Sequence, residues 1–260
     1  NGIMSLRVPV PLRETGEHRK MREIGEQTMK TGTLYGIGIG PGDPELLTIK
    51  AIRRIRECGV IAVPGKTPQE SVAYRIAVQA VPELEKKRLV AVHMHMTKDR
   101  TVLEACFQAA ADALEPWLQA GEDVGFLTLG DVTIYSTYLY IHRLIAARGY
   151  ETAMVSGIPS FCAAAARLNM GLAEGAEEIH IIPATYQVED SLSLPGTKVL
   201  MKAGKQMGRV KEQLRKAGLS VAMVENCGME GETLYRSLEE IGDHSGYYSL
   251  IIAKEGGEDE

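Results

Sequence analysis

The sequence predicts an α/β protein of two domains, with a mostly parallel sheet and crossover helices in the first and a mixed sheet in the second. Three observations carry this expectation. From Thr33 to Leu168 short apolar runs alternate with helical stretches, the pattern of strand–helix–strand crossovers. After Ala176 strands dominate. The chain has 260 residues, 45% hydrophobic and 24% charged, enough for two cores of common size. The domains are expected at 32–152 and 153–255, packed together without a low-complexity linker, behind a polar extension at 1–31.

The elements follow in order. Leu34 to Ile39 reads as a strand ending in "GPGD", followed by a helix from Pro44 with Asp43 at its N-cap and Leu47, Ala51, Ile55 and Cys58 as an apolar stripe. Val60 to Val63 is a strand, then "PGKT", then a helix over Gln69–Gln79. Leu89 to His95 alternates as a strand, and Thr97 caps a long helix reaching Leu118. Val124 to Leu129 is a buried strand ending in "GD", and the helix after it runs through Ile145 to stop at Gly149. Thr152 to Val155 is a strand, then "SGIPS", then a small-residue helix over Phe161–Leu168. In the second domain strands are expected at Ile179–Ile182, Lys198–Met201, Val221–Glu225 and Tyr247–Ala253, with helices at Met207–Ala217 and, shorter, Leu234–Leu238.

Composition excludes several functions. A net charge of −5 gives no overall basic surface for nucleic acid. No apolar run approaches the ~18 residues of a membrane span. The four cysteines, Cys58, Cys106, Cys162 and Cys227, form no CxxC pair and read as free thiols of a reducing cytoplasm, so the expected location is cytoplasmic.

The stretch "GIGIGPGDPELLT", Gly36–Thr48, sets alternate glycines at the first strand-to-helix turn. The dinucleotide fingerprint GxGxxG fails, because its third glycine falls on Pro41 or Asp43. The phosphate loop GxxxxGK[ST] fails narrowly at "VPGKT", where its first glycine falls on Val60. The glycines either make a tight turn only, or open the backbone to a ligand. Three strand ends, "GIGPGD", "TLGD" and "SGIPS", would share one sheet edge, where open α/β sheets bind ligands.

These motifs resemble the tetrapyrrole (corrin and porphyrin) methylases. "GIGPGDPELLTIKA", Gly38–Ala51, matches the family's GxGPGDxxLLTxxA at every fixed position. "FLTLGDVTIYSTY" is similar to its GDP segment, with Val132 for the proline, and "SGIPSFCAAAARL" to its PGxTSF segment, with Pro159 for the threonine. "MTKDR", "LMK", "GMEGE" and "YYSLIIAK" resemble the branch that methylates C-20 of precorrin-2 or its cobalt form in cobalamin biosynthesis.

The resemblance implies S-adenosylmethionine folded between the domains, held by Pro41, Gly130, Asp131, Ile134, Ser160, Met201 and Gly228. Carbonyls and a carboxylate such as Asp131 suit a sulfonium; the other reading of Asp131 is an N-cap of the next helix, and the two roles can coexist. Asp43, Lys98, Arg100 and Tyr135 are candidates for the tetrapyrrole, the two cations for its carboxylates. Tyr135 and Tyr138 fall on one side of a helix, as a macrocycle platform or as core. His93 and His95 fall on one strand face without a third ligand, so no metal site is expected. Lys50, Arg53, Arg54 and Arg56 read as a solvated helix face. No general base is named, and the resemblance implies a homodimer.

Overall fold

A computed structural model describes residues 30–94, 97, 99–184 and 188–255. The N-terminal extension, His95, Met96 and Lys98 therefore lie outside the described residues, apart from Lys30 and Thr31.

The first sheet consists of β1 (Leu34–Gly38), β2 (Val60–Pro64), β3 (Arg88–Val92), β4 (Val124–Thr128) and β5 (Thr152–Val155). Its order is β3-β2-β4-β1-β5 and every pairing is parallel. Such a sheet must be covered on both faces, and the apolar runs supply both. Ile37, Ile61 and Leu127 pack on one face against α1 (Ile49–Glu57) and α2 (Val72–Ala80). Leu34, Val60, Val124 and Phe126 pack on the other against α3 (Arg100–Gln119) and α4 (Tyr138–Ala147).

The second sheet holds β6 (Ile179–Pro183), β7 (Thr197–Met201), β8 (Leu219–Glu225), β9 (Thr233–Tyr235) and β10 (Ser249–Glu255), in the order β6-β7-β10-β8-β9. Only β6–β7 is parallel, so the sheet is mixed. The short α6 (Glu189–Leu192) and α7 (Met207–Ala217) cover one face. The other is covered by α5 (Ser160–Leu168), whose Ala163, Ala164 and Leu168 pack on Val199, Val224 and Ile252.

Local chemistry moves several boundaries. Asp43 caps only a 3-10 turn, Pro44–Leu46, and α1 starts at Ile49 because the Thr48 hydroxyl accepts the Ala51 N–H at 3.1 Å. Asp99 rather than Thr97 caps α3, accepting from Thr101 and Val102, while Thr97 accepts the Asp99 N–H. β3 stops at Val92, so His93 lies beyond the strand, and the other histidine of the expected pair, His95, lies outside the described residues. The helix expected at Leu234–Leu238 is replaced by β9 over Thr233–Tyr235, where Leu234 pairs with Val224 at the edge of β8. Tertiary pairing overrides local preference at that edge. The boundary at 152/153 falls inside β5, which pairs with β1, so the first sheet continues through Val155.

The candidate site in the interdomain cleft

The glycines of the first turn serve the protein's own packing. A Cβ on Gly36 would lie 2.2 Å from the Tyr138 ring, and one on Gly42 the same 2.2 Å from the Cys227 carbonyl of the second domain. A Cβ on Gly38 would meet the Gly157 nitrogen at 2.6 Å and the Gly130 carbonyl at 2.7 Å. The ends of β1, β4 and β5 thus touch backbone to backbone, where no side chain fits. Gly40 and Gly130 exchange two hydrogen bonds, and both have the positive φ that favours glycine.

Above these ends lies a cavity of about 280 Å³, closed from the other side by the ends of β7 and β10. Pro41, Gly130, Asp131, Ile134, Ser160 and Met201 all line it, as does Tyr135. Leu129, Met229 and Leu250 add apolar wall. Gly228 lies elsewhere. It lines a neighbouring cavity of about 540 Å³ with Asp43, Cys162 and Arg167, and Cys227 and Met229 line both.

Asp131 is 7% exposed, and both of its oxygens are engaged. Oδ1 accepts the Thr133 N–H at 2.8 Å and the Thr133 hydroxyl at 2.5 Å, and Oδ2 accepts the Gly157 N–H at 2.9 Å. The next helix starts only at Tyr138, so Asp131 caps a tight turn and not that helix.

That turn separates the tyrosines assigned to one helical side. Tyr135 sits in the loop with φ +49°, is 47% exposed, and donates its hydroxyl to the Ile181 carbonyl of the second sheet at 3.1 Å. Tyr138 is fully buried against Gly36 and Phe126, so its reading as core is the correct one. Its hydroxyl lies 3.0 Å from the Ala153 carbonyl, and burial raises its pKa far above the usual phenol value.

The remaining candidates scatter. Asp43 accepts the Glu45 N–H at 2.8 Å at the rim of the second cavity. Arg100 is exposed at the start of α3 and lines neither cavity, and Lys98 lies outside the described residues. On α1, Arg53 and Arg54 pair with Glu57, Arg56 pairs with Glu83, and Arg54 stacks 4.0 Å over Tyr35. At the "PGKT" loop the Gly65 N–H donates to Val92 and is used within the sheet, unlike an amide that cradles phosphate.

Sequence reasoning missed Lys202, Tyr247, Tyr248 and Ser249, which line the first cavity. Their signal was present, since "LMK" and "YYSLIIAK" end and begin the two strands that close it. Cys227 is buried, and desolvation pushes its thiol up to about 11, which keeps it protonated and inert. Among the described residues no group of three His, Cys, Asp or Glu side chains could hold a metal ion, and no helix is long and apolar enough to cross a membrane.

An apolar cavity with few polar groups suits a small organic ligand. Ser249 lines the cavity and has a buried hydroxyl without a partner, and a Cβ on Gly130 would find nothing nearer than 3.9 Å. These features fit an organic cofactor held by backbone and apolar side chains.

Residues 33–242 match the sequence profile of the Tetrapyrrole (Corrin/Porphyrin) Methylases. The chain belongs to that family. This methylase is 32% identical over 225 residues to a probable cobalt-precorrin-2 C(20)-methyltransferase of Methanocaldococcus jannaschii, with 85% of this chain and 95% of the other covered. It is 31% identical over 229 residues to the cobalt-precorrin-2 C(20)-methyltransferase of Salmonella typhimurium, again covering 85% and 95%. Among solved structures the methylase resembles a cobalt precorrin-4 methyltransferase, with a TM-score of 0.67, 18% identity, and 85% and 94% of the chains covered. It also resembles the uroporphyrin-III C-methyl transferase of Thermus thermophilus complexed with S-adenosylhomocysteine, with a TM-score of 0.62, 20% identity, and coverage of 86% and 98%. The methylase shares the fold of both.

Proposed function

We propose that this methylase transfers a methyl group from S-adenosylmethionine to C-20 of precorrin-2 or its cobalt complex, a step of cobalamin biosynthesis. The observation that carries the reading is the meeting of Pro41, Gly130, Ile134, Ser160 and Met201 at one apolar cleft, in a chain whose relatives are named for that reaction. When bound, the cofactor supplies an electrophilic methyl on a sulfonium leaving group. The chain's part is positional: Leu129, Met229 and Leu250 keep water out, and the crowded ends of β1, β4 and β5 hold the cleft's shape. Alignment of a nucleophilic carbon with the methyl can lower a barrier by ~7–11 kcal/mol, the advantage of a pre-oriented reaction. Asp131 acts by fixing the loop that carries Gly130 and Ile134, through Thr133 and Gly157.

The test supplies methyl-labelled S-adenosylmethionine with precorrin-2 and, separately, its cobalt complex, and locates the label by carbon NMR. A single label at C-20 is expected, and the relative turnover of the two forms decides the natural substrate. Label at another carbon would overturn the branch assignment and favour another tetrapyrrole methylase. The same reading includes a homodimer, checked by light scattering at micromolar concentration.

A further inference from the structure

Among the described residues lining the first cavity, Lys202 supplies the only cation and Asp131 the only acid. Asp131 accepts from Thr133 and Gly157 and makes no ion pair with the lysine. Among the described residues the Lys202 ammonium has no carboxylate partner, and it lies over the Tyr135 ring, 5.6 Å from its centroid. A partly buried ammonium without a counter-ion is unfavourable, and burial lowers its pKa. Its backbone is left-handed, φ +62°, at the end of β7, a conformation non-glycine residues rarely hold without cause. Leu250 of β10 pairs with Met201, the last paired position of β7, so Ser249 and Lys202 are the next residues along their two strands, and both line the cavity. Ser249 is 3% exposed, and its buried hydroxyl has no hydrogen-bond partner.

We propose that Lys202 and Ser249 together form a carboxylate-binding site in the cleft. An ammonium and a hydroxyl can take the two oxygens of one carboxylate, and each group lacks such an acceptor in the protein itself. The site rests on the methylase reading, in which both reactants carry carboxylates: the amino-acid end of the cofactor and the acid side chains of the tetrapyrrole. The Tyr135 ring, held by Ile181, limits where the ammonium can go and so fixes the direction of approach.

Calorimetry on the purified protein and on Lys202→Met, Lys202→Arg and Ser249→Ala separates the sources. The probes are S-adenosylhomocysteine and 5′-methylthioadenosine, which lacks the carboxylate, together with the KM for the tetrapyrrole. If the cofactor's carboxylate is bound, Lys202→Met weakens S-adenosylhomocysteine about tenfold or more, as expected for one lost charge-assisted hydrogen bond, and leaves methylthioadenosine unchanged. If the tetrapyrrole's carboxylate is bound, S-adenosylhomocysteine affinity holds and the KM rises by about the same factor. In either case Lys202→Arg retains part of the affinity, and Ser249→Ala moves the same ligand in the same direction. Unchanged binding and KM in Lys202→Met overturn the site, and so does an equal loss for both nucleosides, which would mean a deformed pocket. A wild-type protein that binds no S-adenosylhomocysteine would instead remove the methylase reading, and the site with it.

Discussion

The Asp131 carboxylate accepts the Gly157 N–H at 2.9 Å, and this bond ties the loop after β4 to the loop after β5. The other oxygen holds the exposed Thr133, and removing the carboxylate leaves the buried Gly157 N–H unsatisfied. Asp131→Ala is expected to lower stability by ~1–3 kcal/mol in urea denaturation, with weakened S-adenosylhomocysteine binding as a consequence of the displaced loop. An unchanged denaturation midpoint would mean that the loops hold their places without it.

Gly42 and Gly149 offer a matched pair. A Cβ on Gly42 would meet the Cys227 carbonyl at 2.2 Å, and Cys227 lines both cavities. Gly42→Ala should cost about 1–3 kcal/mol of stability and reduce cofactor affinity. Gly149 has φ +90° with nothing within 4 Å, so Gly149→Ala should cost about 1–2 kcal/mol through its conformation alone and leave affinity unchanged. Equal affinities for both variants would contradict this account.

Glu232 gives the acid limb of stability. Arg167 above all, with the Gly228 N–H at 2.7 Å, holds its carboxyl below the usual range. A depressed carboxyl contributes stability that is present above its unfolded value, near 4.5, and lost as pH falls through its folded one. Glu232→Gln should therefore flatten the fall of the melting temperature below about pH 4.5. The effect is modest, since the Arg167 side chain is 56% exposed to screening solvent. A variant that melts in parallel with the wild type across this range would contradict the assignment.

His142 acts in a higher window. Burial, and then the neighbouring Arg143, lower its pKa from 6.5, and its ring lies 3.1 Å from the Tyr138 hydroxyl. The unfolded chain then binds a proton more readily than the folded one, so stability falls as pH drops below about 6.5 and levels off below the folded value. His142→Gln should remove that slope in a pH series of thermal melts, leaving the Glu232 limb in place.

Much of the architecture was legible in the sequence. The β1, β2, β4 and β5 runs are short, apolar and closed by glycine turns, which is why their alternation with helices gave a parallel sheet. The three strand ends were recognisable as one edge, but not what the glycines faced: Gly36 and Gly42 are matched to Tyr138 and Cys227, and long-range contacts leave no local trace. Tyr135 and Tyr138 were set on one helix side because their spacing is helical. The Asp131–Thr133 turn interrupts the helix first, and it depends on a partner 26 residues away. Lys202 carried no signal as an isolated lysine, and its importance arises only where β7 ends beside β10.

The order in which strands enter the second sheet has a consequence for synthesis. β10, the last described strand in the chain, lies at the centre of its sheet, between β7 and β8. During translation the first sheet can assemble early, while α5 waits with Ala163, Ala164 and Leu168 uncovered until Ser249–Glu255 leaves the ribosome. The cleft wall at Ser249 and Leu250 is completed in the same event. A nascent chain arrested before that strand has neither a finished sheet nor a place for a cofactor, so incomplete products should not sequester one.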